Sequence, residues 1–218
     1  MRQNSSISKF DTSNSWVILS PIEQSIKAKI EKVGTPLKDW DINIYRGVLT
    51  GFNDAFIISG EKRQEILNNC TSEDERKRTD ELIRPILRGR DIKRYSYNWA
   101  NLWLIYIPWH FPLQSDQTIQ GASEKAEKEF NKQYPAVYSH LLKYKKELSA
   151  RNKAETGIRY EWYAMQRWGA NYWEEFNKPK IVWGNLLFRR QINTSFLFLI
   201  RLQFFMVEVT FHMVGVIF

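Results

Sequence analysis

Cysteine is almost missing from this chain: Cys70 stands alone among 218 residues. One cysteine cannot close an internal disulfide or build a cysteine-based zinc site, and it suits a reducing cytoplasm. Histidine is nearly as scarce. His110, His140 and His212 lie far apart, without the spacing of a metal-ligand set. His140, on a helical stretch among Lys and Tyr, is expected at the surface. No G-x-S-x-G, P-loop or G-x-G-x-x-G occurs. Glu174-Glu175 is a carboxylate pair that a charged helix face explains without acid–base chemistry. A complete active site is therefore not expected within these residues.

Long apolar runs are lacking as well. Arg201 and Glu208 interrupt the apolar stretch near the C-terminus. No unbroken run reaches the roughly 20 residues of a membrane span, so no membrane partner is expected. The N-terminal MRQNSSISKFDTSNSW has no run of signal-peptide kind and reads as a polar lead-in over residues 1–16.

Acid is short relative to base. There are 32 Lys and Arg against 24 Asp and Glu, a formal charge of +8. That excess suits a polyanionic partner, nucleic acid ahead of a membrane surface. Hydrophobic residues make up 43% and aromatics 15%, with nine Trp, enough to build a core in one large or two small domains.

The helix signals are clearest in SPIEQSIKAKIEKVG. Ser20 and Glu23 form a capping box, Pro21 suits the first turn and Gly34 ends the helix. Ile22, Ile26, Ile30 and Val33 share one face and are expected to pack. WDINIYRG alternates as a strand, and Ala55 to Ile58 reads as a short buried strand after the turn Thr50-Gly51-Phe52-Asn53-Asp54. EKRQEILNN, SEDERKRTDELI, SEKAEKEFNKQ and PAVYSHLLKYKKELSAR read as helices. The second stops near Pro85, and the last carries a stripe of Val137, Leu141, Tyr144 and Leu148. NLWLIYIPW and KPKIVWGN read as strands. This irregular interleaving predicts an α+β (mixed α/β) fold with an N-terminal amphipathic helix.

Three basic stretches are candidates for anion contact. ELIRPILRGRDIKRY opens like an apolar helix and ends in five cations around Gly89, with Asp91 as the one acid between Arg84 and Arg94. Arg88, Arg90, Lys93 and Arg94 flank a glycine that permits a sharp turn or close approach to a phosphate, and Arg can read guanine bidentately. A solvated loop is the alternative, with Asp91 pairing to a neighbouring Arg in a structural role. KYKKELSARNK is a basic helix end that the helix dipole explains equally well. RYEWYAMQRWGANYW mixes Arg159 and Arg167 with six Tyr and Trp residues. Most of its Trp residues are expected in the core, leaving Arg159, Gln166 and Arg167 for contact.

Taken in order, YRGVLTGFNDAFII, ELIRPILRGRDIKRY, YPAVYSHLLKYKKELSAR, RYEWYAMQR and FNKPKIVWGN resemble the TaqI-type C-terminal specificity domain. That domain is the target-recognition part of adenine-specific DNA methyltransferases and of type IIG restriction–modification enzymes. The resemblance covers about residues 17–185. It implies double-stranded DNA as partner, with Arg46, Thr50 and Asn53 on one DNA-facing turn and Arg88, Arg90, Lys93 and Arg94 on another. It also implies a separate methyltransferase catalytic domain or chain that holds S-adenosylmethionine and flips the target adenine. The family's Asn-Pro-Pro-aromatic motif is absent, and Asn177-Lys178-Pro179-Lys180 does not replace it. No cofactor is therefore expected in this chain. A scaffold fragment that pairs with a separate methyltransferase chain is the alternative. From Leu186 to Phe218 the sequence is lysine-free and apolar and departs from the family pattern, as a frameshift or truncation would make it.

Overall fold

A computed structural model describes residues 19–36, 39–40, 43–93, 96–178, 180–182, 198–200, 205–207 and 215–217. The chain divides into two compact units, Met1–Ile42 and Asn43–Phe218.

The first unit contains α1 (Pro21–Val33), built as its sequence predicts. Glu23 N donates to Ser20 Oγ at 3.4 Å, and Ser20 N donates to Glu23 Oε2 at 2.8 Å. Lys27 pairs with Glu31 at 3.5 Å, one turn on. The expected packing of its apolar stripe is not found: α1 buries no residue, and Ile22 and Val33 are 73% and 84% exposed. Among the described residues, caps, the exposed Lys27–Glu31 pair and a 2.9 Å hydrogen bond from Gln24 Nε2 to the Leu19 carbonyl contribute to this helix, and it buries no residue.

In the second unit the elements run β1 (Ile44–Arg46), α2 (Asn53–Phe56), β2 (Ile57–Ser59), α3 (Gly60–Asn68), α4 (Glu73–Leu82) and β3 (Ile83–Arg88). A 3-10 turn (Gly89–Asp91) follows. Then come β4 (Leu102–Ile105), α5 (Glu124–Gln133), α6 (Pro135–Leu142), α7 (Lys145–Ala150) and a second 3-10 turn (Trp173–Asn177). The chain continues through β5 (Lys180–Val182), β6 (Phe198–Ile200), β7 (Phe205–Val207) and β8 (Gly215–Ile217). The fold is α+β. In one sheet β4 lies between β2 and β3, antiparallel to both, with Ile58 opposite Trp103 and Ile83 opposite Ile105. β7 adds to β3 in parallel. A second sheet has the order β1-β8-β5-β6.

The structure corrects three of the predicted elements. Ala55 and Phe56 belong to α2, because the Asn53 carbonyl accepts from Ile57 N and closes one helical turn before the strand starts. The segment after Leu82 is β3, not a helix end running into a loop. Pro85 is the last residue in register with β4, where a missing N–H costs least. The helix expected over PAVYSHLLKYKKELSAR breaks into α6 and α7 at Lys143–Tyr144, yet Val137, Leu141 and Leu148 stay fully buried.

The core lies where α2, α5 and α6 meet the β2-β4-β3 sheet, and Phe56, Ile86, Leu104, Phe130, Leu141 and Tyr163 are inaccessible. Phe130 stacks on Tyr163 with centroids 4.6 Å apart. His140 is another correction: it is 5% exposed, and its Nε2–H donates to the Ala55 carbonyl at 3.0 Å. Burial pushes its pKa down, and Lys143 and Lys62 add to that push. Two buried carboxylates staple the loops. Glu75 accepts from Thr71 N at 2.7 Å and from Ala136 N at 3.0 Å. Glu161 accepts from the backbone N–H of His110 at 2.8 Å and of Ser123 at 3.0 Å.

Candidate nucleic-acid interface

The turn after β1 is shaped by glycine. Gly51 has φ +78°, and a Cβ there would lie 2.8 Å from Arg151 Cδ and 2.9 Å from Gln166 Oε1. A side chain is excluded by both backbone conformation and space. Thr50 is 1% exposed, and its hydroxyl donates to Asn53 Oδ1 at 2.6 Å. That hydroxyl is spent inside the turn, whereas Asn53 is partly exposed. Arg46 lies on β1, and the surroundings of its side chain fall outside the described residues.

Gln166 and Arg167 come back to this turn from more than a hundred residues away. Leu49 N donates to Arg167 O at 2.8 Å, and Arg167 N donates to Leu49 O at 2.9 Å. This antiparallel bridge sets Gln166 over Gly51. Arg167 and Arg159 then share one carboxylate. Arg167 Nη1 reaches Glu155 Oε2 at 3.0 Å, and Arg159 Nη1 reaches Glu155 Oε1 at 2.9 Å. Both guanidiniums also sit beside the ring of Trp109, at 5.9 and 5.6 Å from its centroid. The hydrogen bonds from Arg167, above all, hold the Glu155 carboxyl below its ordinary value. The side chains of Arg159 and Arg167 keep 59% and 49% of their exposure. The knot is one carboxylate and two oriented cations, so it faces solvent with net positive charge.

The second group follows β3. Arg88 grips Asp91 through Nε at 3.0 Å and Nη2 at 2.8 Å, and Arg88 N adds a third bond at 2.9 Å. Burial alone would raise the Asp91 carboxyl, but the bonds and charge of Arg88 hold it below its ordinary value. Arg88 thus stabilises the 3-10 turn. Arg90 and Lys93 are exposed, with Lys93 Nζ donating to the Arg90 carbonyl at 3.2 Å. Arg94 lies outside the described residues. No hydrogen bond or ion pair among the described residues joins this group to the first.

Two organising residues, Arg151 and Glu155, are not among the contact residues expected from the sequence. Arg151 stands within KYKKELSARNK as one cation among five, with nothing in that stretch to mark it as buried. Glu155 does carry a signal, since it lies four residues before Arg159, the spacing of an ion pair on a helical turn.

No protein-family model matches the chain, and no curated protein matches it.

Proposed function

We propose that the Asn43–Phe218 unit binds double-stranded DNA as the recognition part of an adenine-specific DNA methyltransferase or type IIG restriction–modification protein. One observation carries this reading. The Leu49–Arg167 bridge gathers the Thr50–Asn53 turn, Gln166 and two exposed arginines onto one edge. Both segments are among those that resemble the TaqI-type specificity domain. Oriented guanidiniums on a net-basic unit suit phosphate grip, and Asn53 and Gln166 have the amide groups that pair with adenine in the major groove. Arg90 and Lys93 extend the basic surface. The methyl donor, S-adenosylmethionine, belongs in this proposal to an associated catalytic domain.

The salt dependence of duplex binding tests it. Neutralising four phosphates gives a log–log slope of about −3.6. Replacing Arg159 and Arg167 by Gln removes two of those cations and should flatten the slope by roughly 1.8. An unchanged slope in a folded variant would remove these arginines from the interface.

A second reading rests on α1. Its exposed stripe of Ile22, Ile26, Ile30 and Val33 is an apolar face suited to a partner helix, as a scaffold that pairs with a methyltransferase chain would need. Charged substitutions on that stripe would abolish such pairing and leave DNA affinity unchanged.

A further inference from the structure

A cavity of about 310 Å³ opens beside α4 and β3, walled by Tyr106, Phe111, Trp168 and Trp173. It lies at the small end of the roughly 300–1,000 Å³ range of ligand pockets. None of the residues assigned to the DNA interface lines it. Three features define what it would hold.

First, the walls are aromatic, which suits a flat ring. The phenol of Tyr106 donates to the Trp168 carbonyl at 2.7 Å, and burial pushes its pKa far up. Tyr106 therefore stays neutral and brings no charge to repel an anion. Second, Arg84 reaches the cavity from β3, partly buried, and its side chain makes no hydrogen bond or ion pair among the described residues. A partly desolvated guanidinium without an anion is unfavourable, and a phosphate or carboxylate would relieve it. Arg78 lines the same cavity and gives Nη2 to the Gln133 carbonyl at 3.1 Å. With Glu81 as the single carboxylate among the described lining residues, the site is net positive. Third, Asn177, Glu81, Trp168 and Trp173 are lining residues whose side chains carry both acceptors and donors suited to a ring with polar edges. A plain aromatic acid would leave them unmet.

We propose that this cavity binds a mononucleotide, with its base against Trp168 and Trp173 and its phosphate at Arg84. The site shares no residue with the proposed DNA interface, so failure of one proposal leaves the other standing.

Calorimetric titration of the full chain with AMP, GMP, CMP and UMP, and with the matching nucleosides, tests this. At least one mononucleotide should bind with Kd below about 1 mM, roughly tenfold tighter than its nucleoside. Arg84→Gln should abolish that tenfold difference and leave nucleoside binding in place. Trp173→Ala, at a residue already 44% exposed and so tolerant of truncation, should weaken both about tenfold. An Arg90→Gln control should change neither. No saturable binding by any of the four would overturn the proposal. So would an unchanged nucleotide-to-nucleoside ratio in the Arg84→Gln variant. Displacement of the mononucleotide by a short single-stranded oligonucleotide would identify the source as a base turned out of DNA. Binding without displacement would identify a free nucleotide.

Discussion

The guanidinium of Arg151 donates to the main-chain carbonyl of Thr50, 101 residues away in the sequence. It also donates to the carbonyls of Trp162 and Ala164, both at 2.7 Å, and through Nε to that of Leu148 at 2.9 Å. It lies beside the rings of Phe56 and Tyr160, at 5.6 and 5.9 Å. Burial lowers its pKa to about 10, so it is still a cation at neutral pH. One side chain thus ties the Thr50 turn to the irregular segment that carries Gln166 and Arg167.

Truncating Arg151 leaves four carbonyls without their donor. Arg151→Met should therefore cost about 3–5 kcal/mol in urea unfolding. DNA affinity should fall with the folded fraction. Arg151→Lys keeps the charge but loses the planar fork, so its stability should fall between the native chain and Arg151→Met.

Gly51→Ala meets both a positive φ and a blocked Cβ position. A loss of about 1–3 kcal/mol is expected. If the turn faces DNA, affinity measured below the melting transition should drop further than the loss of folded protein explains. Gly157, at φ +77° with no heavy atom within 4 Å of its Cβ position, is the control. Gly157→Ala bears the backbone strain alone and should leave DNA affinity unchanged.

His140 makes stability depend on pH. Its pKa is lower in the folded chain than the ordinary 6.5, so the folded state takes up the proton less readily. Above about pH 7 both states are neutral, and His140 adds no pH dependence. As pH falls through the unfolded value, the unfolded chain protonates first and stability drops, levelling only below the folded value. Denaturant midpoints should therefore fall between about pH 7.5 and pH 5.5, and His140→Gln should flatten that slope. Asp91 and Glu155, both with lowered pKa values, account for further loss only at more acidic pH.

Arg88 and its neighbours should separate into two kinds of effect. Arg88→Ala strands Asp91, which is 5% exposed, and should destabilise by about 3 kcal/mol or more. Arg90→Ala with Lys93→Ala touches only exposed cations, and stability should change by no more than about 0.5 kcal/mol. The same pair should weaken duplex binding across all sequences. The salt slope should shrink by about one for each phosphate that is no longer neutralised.

Local chemistry is the part of this chain that its sequence displays directly. The capping box of α1 and the turn at Gly51 depend on residues three or four apart. β3 is hidden, because Pro85 argues against a strand unless its place in the register is known. His140 misleads, because its neighbours Lys143 and Tyr144 suggest solvent while the carbonyl that holds it comes from Ala55. The candidate interface is half legible. Arg159, Gln166, Arg167, Thr50 and Asn53 stand out in two separate segments, and it takes the Leu49–Arg167 bridge and the buried Arg151 to unite them. Arg88 stands out for its charge, and that charge is committed to Asp91.

In the proposed function this chain grips and reads duplex DNA. The most direct test incubates the purified chain with a random duplex pool near physiological salt and sequences what is retained. Enrichment of one short motif, lost when Gln166 and Asn53 are replaced by Ala, is the result expected. Absence of retention at salt concentrations down to about 50 mM, where phosphate contacts are strongest, would overturn the DNA-binding proposal.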